Sequence, residues 1–204
     1  MKCKICSGHL YYKDGFYWCE NCKSKHNLSS VYELIEVFIA YIENDEQGRR
    51  TRDSIIAQDL FHKLTNARIS AFYQRVSAEN LTEKDFDVVC KKCASQSKIL
   101  MFVGTSKENF NKLILDYYDL LSDKKIIPVY ADMKADNLPP ELNKLQSLNY
   151  NNVGSVSDMI NRILNILGRE EEIVSARAEH KNKNKKRKML YISLISVLSF
   201  IIGI

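Results

Sequence analysis

Cys3 and Cys6 form one CxxC pair, and after a gap of twelve residues Cys19 and Cys22 form a second. Four thiolates spaced in this way can close a tetrahedron around one Zn²⁺, with each sulfur about 2.3 Å from the metal. The residues between the pairs fit a hairpin: Leu10-Tyr11-Tyr12-Lys13, an Asp14-Gly15 turn, then Phe16-Tyr17-Trp18. Asp-Gly between aromatic runs suits a tight turn whose two central residues take positive φ. Residues 1–28 are therefore expected to be a small β zinc ribbon. His9 and His26 are spare donors, but four sulfurs already complete the coordination. A site without an open position stabilises a fold and hydrolyses nothing, so the zinc is read as structural. Two disulfides are the alternative, which a reducing compartment disfavours.

The elements that carry the rest of the chain follow from periodicity. Residues 34–40 (LIEVFIA), 69–73, 98–103 (KILMFV) and 124–130 (KKIIPVY) read as short strands, and 145–150 as a weaker fifth. Between them lie helical stripes. Ile56, Leu60 and Leu64 fall on the first, expected near 53–66; Phe86, Val89, Cys90, Cys93 and Ala94 fall on the second. Cys90 and Cys93 form a further CxxC, read here as small buried hydrophobes because they sit inside a helix and not at its N-terminus. A third stripe, expected over 110–121, presents Phe110, Leu113, Ile114, Tyr117, Leu120 and Leu121. A fourth runs from Val156 to Leu167, with Ser155 or Ser157 opening it and Gly168 closing it. Strands alternating with helices over 31–168 predict an α/β domain with a flavodoxin-like, five-stranded parallel sheet and helices on both faces. Ligands in such folds bind beyond the carboxyl ends of the strands. No GxGxxG, GxxxxGK[ST] or GxSxG occurs, so dinucleotide-fold, P-loop and hydrolase-elbow signatures are absent.

Charge and hydropathy divide the C-terminus. Of 30 basic residues, six lie in the run His180 to Lys188 (HKNKNKKRK); without them 24 basic side chains face 25 acidic ones. The body is thus nearly neutral, which argues against nucleic acid as a partner. The ribbon's mild lysine excess does not change that expectation. After the basic linker over 169–188, the segment 189–204 (MLYISLISVLSFIIGI) carries no charge. As a helix it would be about 24 Å long, close to the ~30 Å hydrocarbon core once Arg187 and Lys188 snorkel. A transmembrane segment is expected, with the preceding body on the cytoplasmic side of the cell membrane by the positive-inside rule. It stops at Ile204 without a polar flank, as expected of a segment that continues further. Met1 to Cys6 leads into cysteines without an apolar h-region, so a secretory leader is not expected.

Several stretches resemble one family. Val37-Phe38-Ile39-Ala40-Tyr41 is similar to the first-strand motif VFISY of Toll/interleukin-receptor (TIR) domains. Glu43-Asn44-Asp45-Glu46 through Arg50-Thr51-Arg52-Asp53-Ser54 resembles the following loop and helix of bacterial members. Val103-Gly104-Thr105-Ser106 with Phe110-Asn111, then Ile127-Pro128-Val129-Tyr130 and Leu138-Pro139-Pro140-Glu141-Leu142, match later landmarks in the expected order. The resemblance spans roughly Tyr32 to Leu167.

The resemblance implies a chemistry and a mode of action. Many bacterial TIR domains hydrolyse NAD⁺ at the nicotinamide–ribose bond, often in antiphage defence, and others signal only through TIR–TIR assembly. Enzymatic members carry a glutamate in the third helix; a carboxylate there would bind ribose hydroxyls and stabilise an oxocarbenium-like transition state. The expected third helix of this chain contains none. Asp116 is the nearest carboxylate, with Glu108 and Asp119 as alternatives, and a side chain one methylene shorter reaches about 1.5 Å less, where misplacement of ~1 Å costs on the order of 100-fold. Tyr41 and Asn44 after the first strand, and Tyr73 and Arg75 after the second, are the candidates for binding NAD⁺. Two expectations follow: a membrane-tethered NAD⁺ hydrolase active when clustered, or a non-catalytic adaptor that self-associates at the membrane. In the second, Lys112, Asp116 and Asp119 are simply a solvated face.

Overall fold

A computed structural model describes residues 3, 5–6, 8–13, 16–27, 35–77, 81 and 83–169. The Asp14-Gly15 turn, most of the 169–188 linker and the apolar segment 189–204 lie outside the described residues. No described helix is long and apolar enough to cross a membrane.

Near the N-terminus, β1 (Leu10–Lys13), β2 (Phe16–Cys19) and β3 (Lys25–Asn27) form an antiparallel sheet in that order. Leu10 pairs with Cys19 and Lys13 with Phe16, so two residues connect the first two strands, as a tight hairpin requires. Alternation sends Tyr17 and Cys19 inward while Phe16 and Trp18 remain half-buried.

The second sheet has five parallel strands: β4 (Val37–Ala40), β5 (Ala71–Phe72), β6 (Ile99–Gly104), β7 (Lys125–Tyr130) and β8 (Leu148–Asn149), in the order β5-β4-β6-β7-β8. That order is the flavodoxin-like arrangement anticipated from the alternating pattern. β4 and β6 are buried at every position, which explains their unbroken apolar runs. Pro128 sits inside β7 without breaking the ladder, because β8 pairs only with Val129 and Tyr130 and leaves Pro128 a partner on one side only. Four of the strands are shorter than the sequence pattern suggested, while β6 keeps six residues one position further on. The first begins at Val37 and not at residue 34, and the fifth keeps only two of six residues; apolar character extends further than the ladder it serves.

Between the strands come α1 (Arg52–Asn66), α2 (Gln74–Ser77), α3 (Glu83–Gln96), α4 (Lys107–Asp116), α5 (Pro140–Asn143) and α6 (Ser155–Ile166). Thr51 caps α1 by accepting from the Ser54 N–H, and Arg68 takes the left-handed position after its end at φ 58°. Ile56, Ala57, Leu60 and Leu64 form its buried stripe. Val89, Cys90, Cys93 and Ala94 do the same on α3, and burial pushes the Cys90 thiol up to about 12. Both cysteines are thus inert core material.

The third helix differs from expectation in register. Ser106 caps it by accepting from the Asn109 N–H, so it starts at Lys107 and includes Glu108 in its first turn. It ends at Asp116, and a separate 3₁₀ turn, Tyr118–Leu120, follows. Gly104, at the end of β6, admits only glycine: a Cβ there would lie 2.8 Å from the Phe110 ring. Packing divides the chain into two units, Met1–Ile160 and Asn161–Ile204. The described part of the second is the latter half of α6, where Ile163 and Leu164 are buried, closed by Gly168 at φ 73°.

Candidate functional site

The cysteine cluster forms because the β1–β2 register brings the two CxxC turns to one end of the ribbon. The four sulfurs lie within 4.8 Å of one another. A zinc tetrahedron with 2.3 Å bonds has edges of about 3.8 Å, and the Cys3–Cys22 and Cys6–Cys19 separations are 3.7 and 3.4 Å. Disulfide sulfurs would be about 2.05 Å apart, so these are not disulfides. Gly8 allows the first turn to close, since a Cβ there would meet the Asn21 side chain at 2.8 Å. Lys23 closes the second at φ 55°, donating its N–H to the Cys19 carbonyl. Around the sulfurs, the Ser24 hydroxyl lies 2.9 Å from Cys22 Sγ and 2.8 Å from His26 Nε2. His26 Nε2 is 3.3 Å from Cys3 Sγ, so the histidine supports a ligand instead of replacing one. The Ser24 hydroxyl and N–H hold the Cys22 thiol down at about 6. Burial raises the Cys3 thiol, but the N–H groups of Cys6 and Ile5 and the Ser24 hydroxyl outweigh it and bring it to about 7. The Gly8 N–H would lower the Cys6 thiol, but the Cys19, Cys22 and Cys3 sulfurs and burial push it up to about 12; it is the spacing of the four sulfurs that is compatible with a structural zinc ion.

At the carboxyl ends of the parallel strands, Tyr41 follows β4, Tyr73 follows β5 and Thr105 follows β6. Tyr41 is 4% and Tyr73 1% exposed, and their rings stack with centroids 5.4 Å apart. Tyr73 also stacks on Phe61 at 5.4 Å. Among the described residues the Tyr41 hydroxyl has no hydrogen-bond partner; burial, with the Glu43 carboxylate alongside, pushes its ionisation far above the ordinary phenol range. Asn44 bridges to Arg50 through the backbone. Arg75 pairs with Glu43 at 2.9 Å. Arg50 donates from Nε to Ser54 Oγ (2.8 Å) and from Nη2 to Gln58 Oε1 (2.6 Å) and Tyr73 Oη (3.1 Å). The four candidates for NAD⁺ binding therefore share one strand edge, where Tyr41 and Tyr73 are buried in the aromatic stack, Arg75 is paired with Glu43, and Asn44 is exposed and held through its backbone.

Asp53 completes this edge and was not singled out from the sequence. It is fully buried, and it accepts from Thr105 Oγ1 and Asn109 Nδ2, both at 2.7 Å. Burial raises its pKa, and the two hydrogen bonds only partly oppose that. One carboxylate thus fastens the start of α1 to the β6–α4 turn. Its partners lie 52 and 56 residues away, and an acidic residue in a first helical turn reads as ordinary capping, so no local signal reveals it.

The catalytic candidates divide between the two ends of α4. Glu108 is exposed in the first turn. Asp116 is the last helical residue, about 12 Å further along the axis, and Asp119 follows in the 3₁₀ turn. Both aspartates line a cavity of about 470 Å³ with Lys91, Lys92 and Ser95 of α3 and with Leu115, Tyr117, Tyr118 and Leu120. α3 leads into β6 and α4 runs back from it, so this cavity lies toward the amino ends of the strands. It is at the opposite side from Tyr41, Tyr73 and Arg75. No protein-family model matches the sequence, and no curated protein or solved structure matches it either.

Proposed function

We propose that this chain is a non-catalytic, TIR-like assembly protein, held at the cytoplasmic face of a membrane by residues 189–204 and braced at its N-terminus by a structural zinc ribbon. One observation carries the reading. The strand edge where a nucleotide would be expected is filled by the protein's own side chains: the Tyr41–Tyr73–Phe61 stack, the Arg50 hydrogen bonds and the Asp53–Thr105–Asn109 clasp. A site for NAD⁺ needs a concave space with a few free polar groups, and here most of those groups answer to one another, the buried Tyr41 hydroxyl and Glu43 Oε2 excepted. Contrary to the expectation from sequence, α4 does contain a glutamate, Glu108, exposed in the first turn that follows β6, and it is the carboxylate the hydrolase reading would use at this edge. The uncharged run at 189–204 and the basic run before it support the membrane tether.

The hydrolase reading retains one further supporting feature, the pairing of Asp116 and Asp119 in a cavity beside Tyr117 and Tyr118. NAD⁺ turnover separates the two readings, while the assembly that both involve is tested by mass. Sedimentation equilibrium of the full chain in detergent micelles, over a wide concentration range, should show reversible self-association without any nucleotide. A strictly monomeric chain throughout that range would contradict the assembly reading.

A further inference from the structure

The groove lined by Asp116 and Asp119 has a chemistry better suited to protein than to nucleotide. One wall, from α3, presents Lys91, Lys92 and Ser95; the other, from the end of α4 and the 3₁₀ turn, presents Asp116 and Asp119. Two large apolar side chains stand out of it, Leu115 at 76% and Tyr118 at 67% exposure. Among the described residues, none of the two lysines and two aspartates forms an ion pair. An anion entering alone would meet the aspartates and a cation would meet the lysines. The groove instead suits an occupant carrying both signs, spaced as here, around an apolar centre.

We infer that this occupant is a second copy of the chain. A two-fold axis beside Leu115 and Tyr118 sets the lysine wall of each copy against the aspartate wall of the other, so every charge finds its opposite twice while the apolar side chains meet in the middle. The inference rests on the self-association reading and names the surface that performs it. It also gives Asp116 and Asp119 a role that requires no reaction.

The test uses full-length chains in micelles and two charge reversals on exposed or half-buried side chains, Lys91→Glu with Lys92→Glu, and Asp116→Lys with Asp119→Lys. Zinc content and circular dichroism check that each variant is folded. Each reversed chain alone places like charges across the axis, and its self-association, read by sedimentation equilibrium, should weaken about tenfold or more. An equimolar mixture of the two should recover the parent's association, because each reversed wall then meets its opposite. If both variants associate as the parent does, this surface is not the interface, while the assembly reading survives. If each is weakened but the mixture stays weak, the charges act within one copy and the pairing is wrong. If the parent itself never associates, the assembly reading and this inference fall together.

Discussion

At the scale of single residues, the cysteine cluster was legible because its members are close in sequence and their CxxC spacing is the one that coordination geometry favours. The structure adds Ser24 and His26, whose support of the sulfurs no spacing rule announces. Replacing Cys22 with serine should abolish stoichiometric zinc, measured by metal analysis. Chelation should shift the emission of Trp18, the sole tryptophan, as the ribbon loses its organising ion. Ser24→Ala should raise the Cys22 thiol from about 6 toward its ordinary value. Protons then compete better with the metal, and zinc release on acidification should move to higher pH, as a colorimetric zinc indicator would record. Asp53 makes a different prediction. Its folded pKa lies above the 3.8 of the free side chain, so its contribution to stability is greatest below that value and is lost as pH rises through the folded pKa. Asp53→Asn removes this dependence and turns an amide donor toward two donors, Thr105 and Asn109. Denaturant titrations should find it less stable by about 1–3 kcal/mol at neutral pH, with the gap to wild type widening as pH falls toward 4. A gap that stays constant with pH would show that Asp53 is not protonated on folding.

At the scale of elements, the five strands and their parallel order followed from alternation of apolar runs and helical stripes, since β4 and β6 are buried on both sides and have no polar positions to spare. Boundaries were less legible. Residues 34–36 are apolar or acidic in a pattern that continues a strand, yet the ladder begins at Val37. The shift of α4 toward the N-terminus has a single physical cause, the Ser106 cap, and it decides where the carboxylates sit: Glu108 enters the first turn, while Asp116 becomes the last helical residue. The same turn depends on Gly104. Gly104→Ala forces a Cβ against the Phe110 ring, which lies in the core, and should cost about 1–3 kcal/mol in denaturant unfolding. An unchanged midpoint would mean that the β6–α4 turn yields where the close approach says it cannot.

At the scale of the whole molecule, the sequence pattern placed candidate residues on a five-stranded parallel α/β frame but could not say which would face one another. Contacts between residues fifty positions apart, such as Asp53 with Asn109, decide whether a strand edge is an open pocket or a closed network, and periodicity is silent on them. Here Tyr41 and Tyr73 spend their faces on the core, and Asp116 and Asp119 lie at the other end of the sheet. The central claim is that this protein works by assembling and not by consuming a nucleotide. The most direct measurement is NAD⁺ remaining over several hours, read by chromatography, with the full chain reconstituted at high density on lipid vesicles so that clustering is assured. The account predicts that NAD⁺ stays at its starting level, with Asp116→Ala and Glu108→Ala chains indistinguishable from the parent. Steady loss of NAD⁺ with release of nicotinamide, abolished by either substitution, would contradict it.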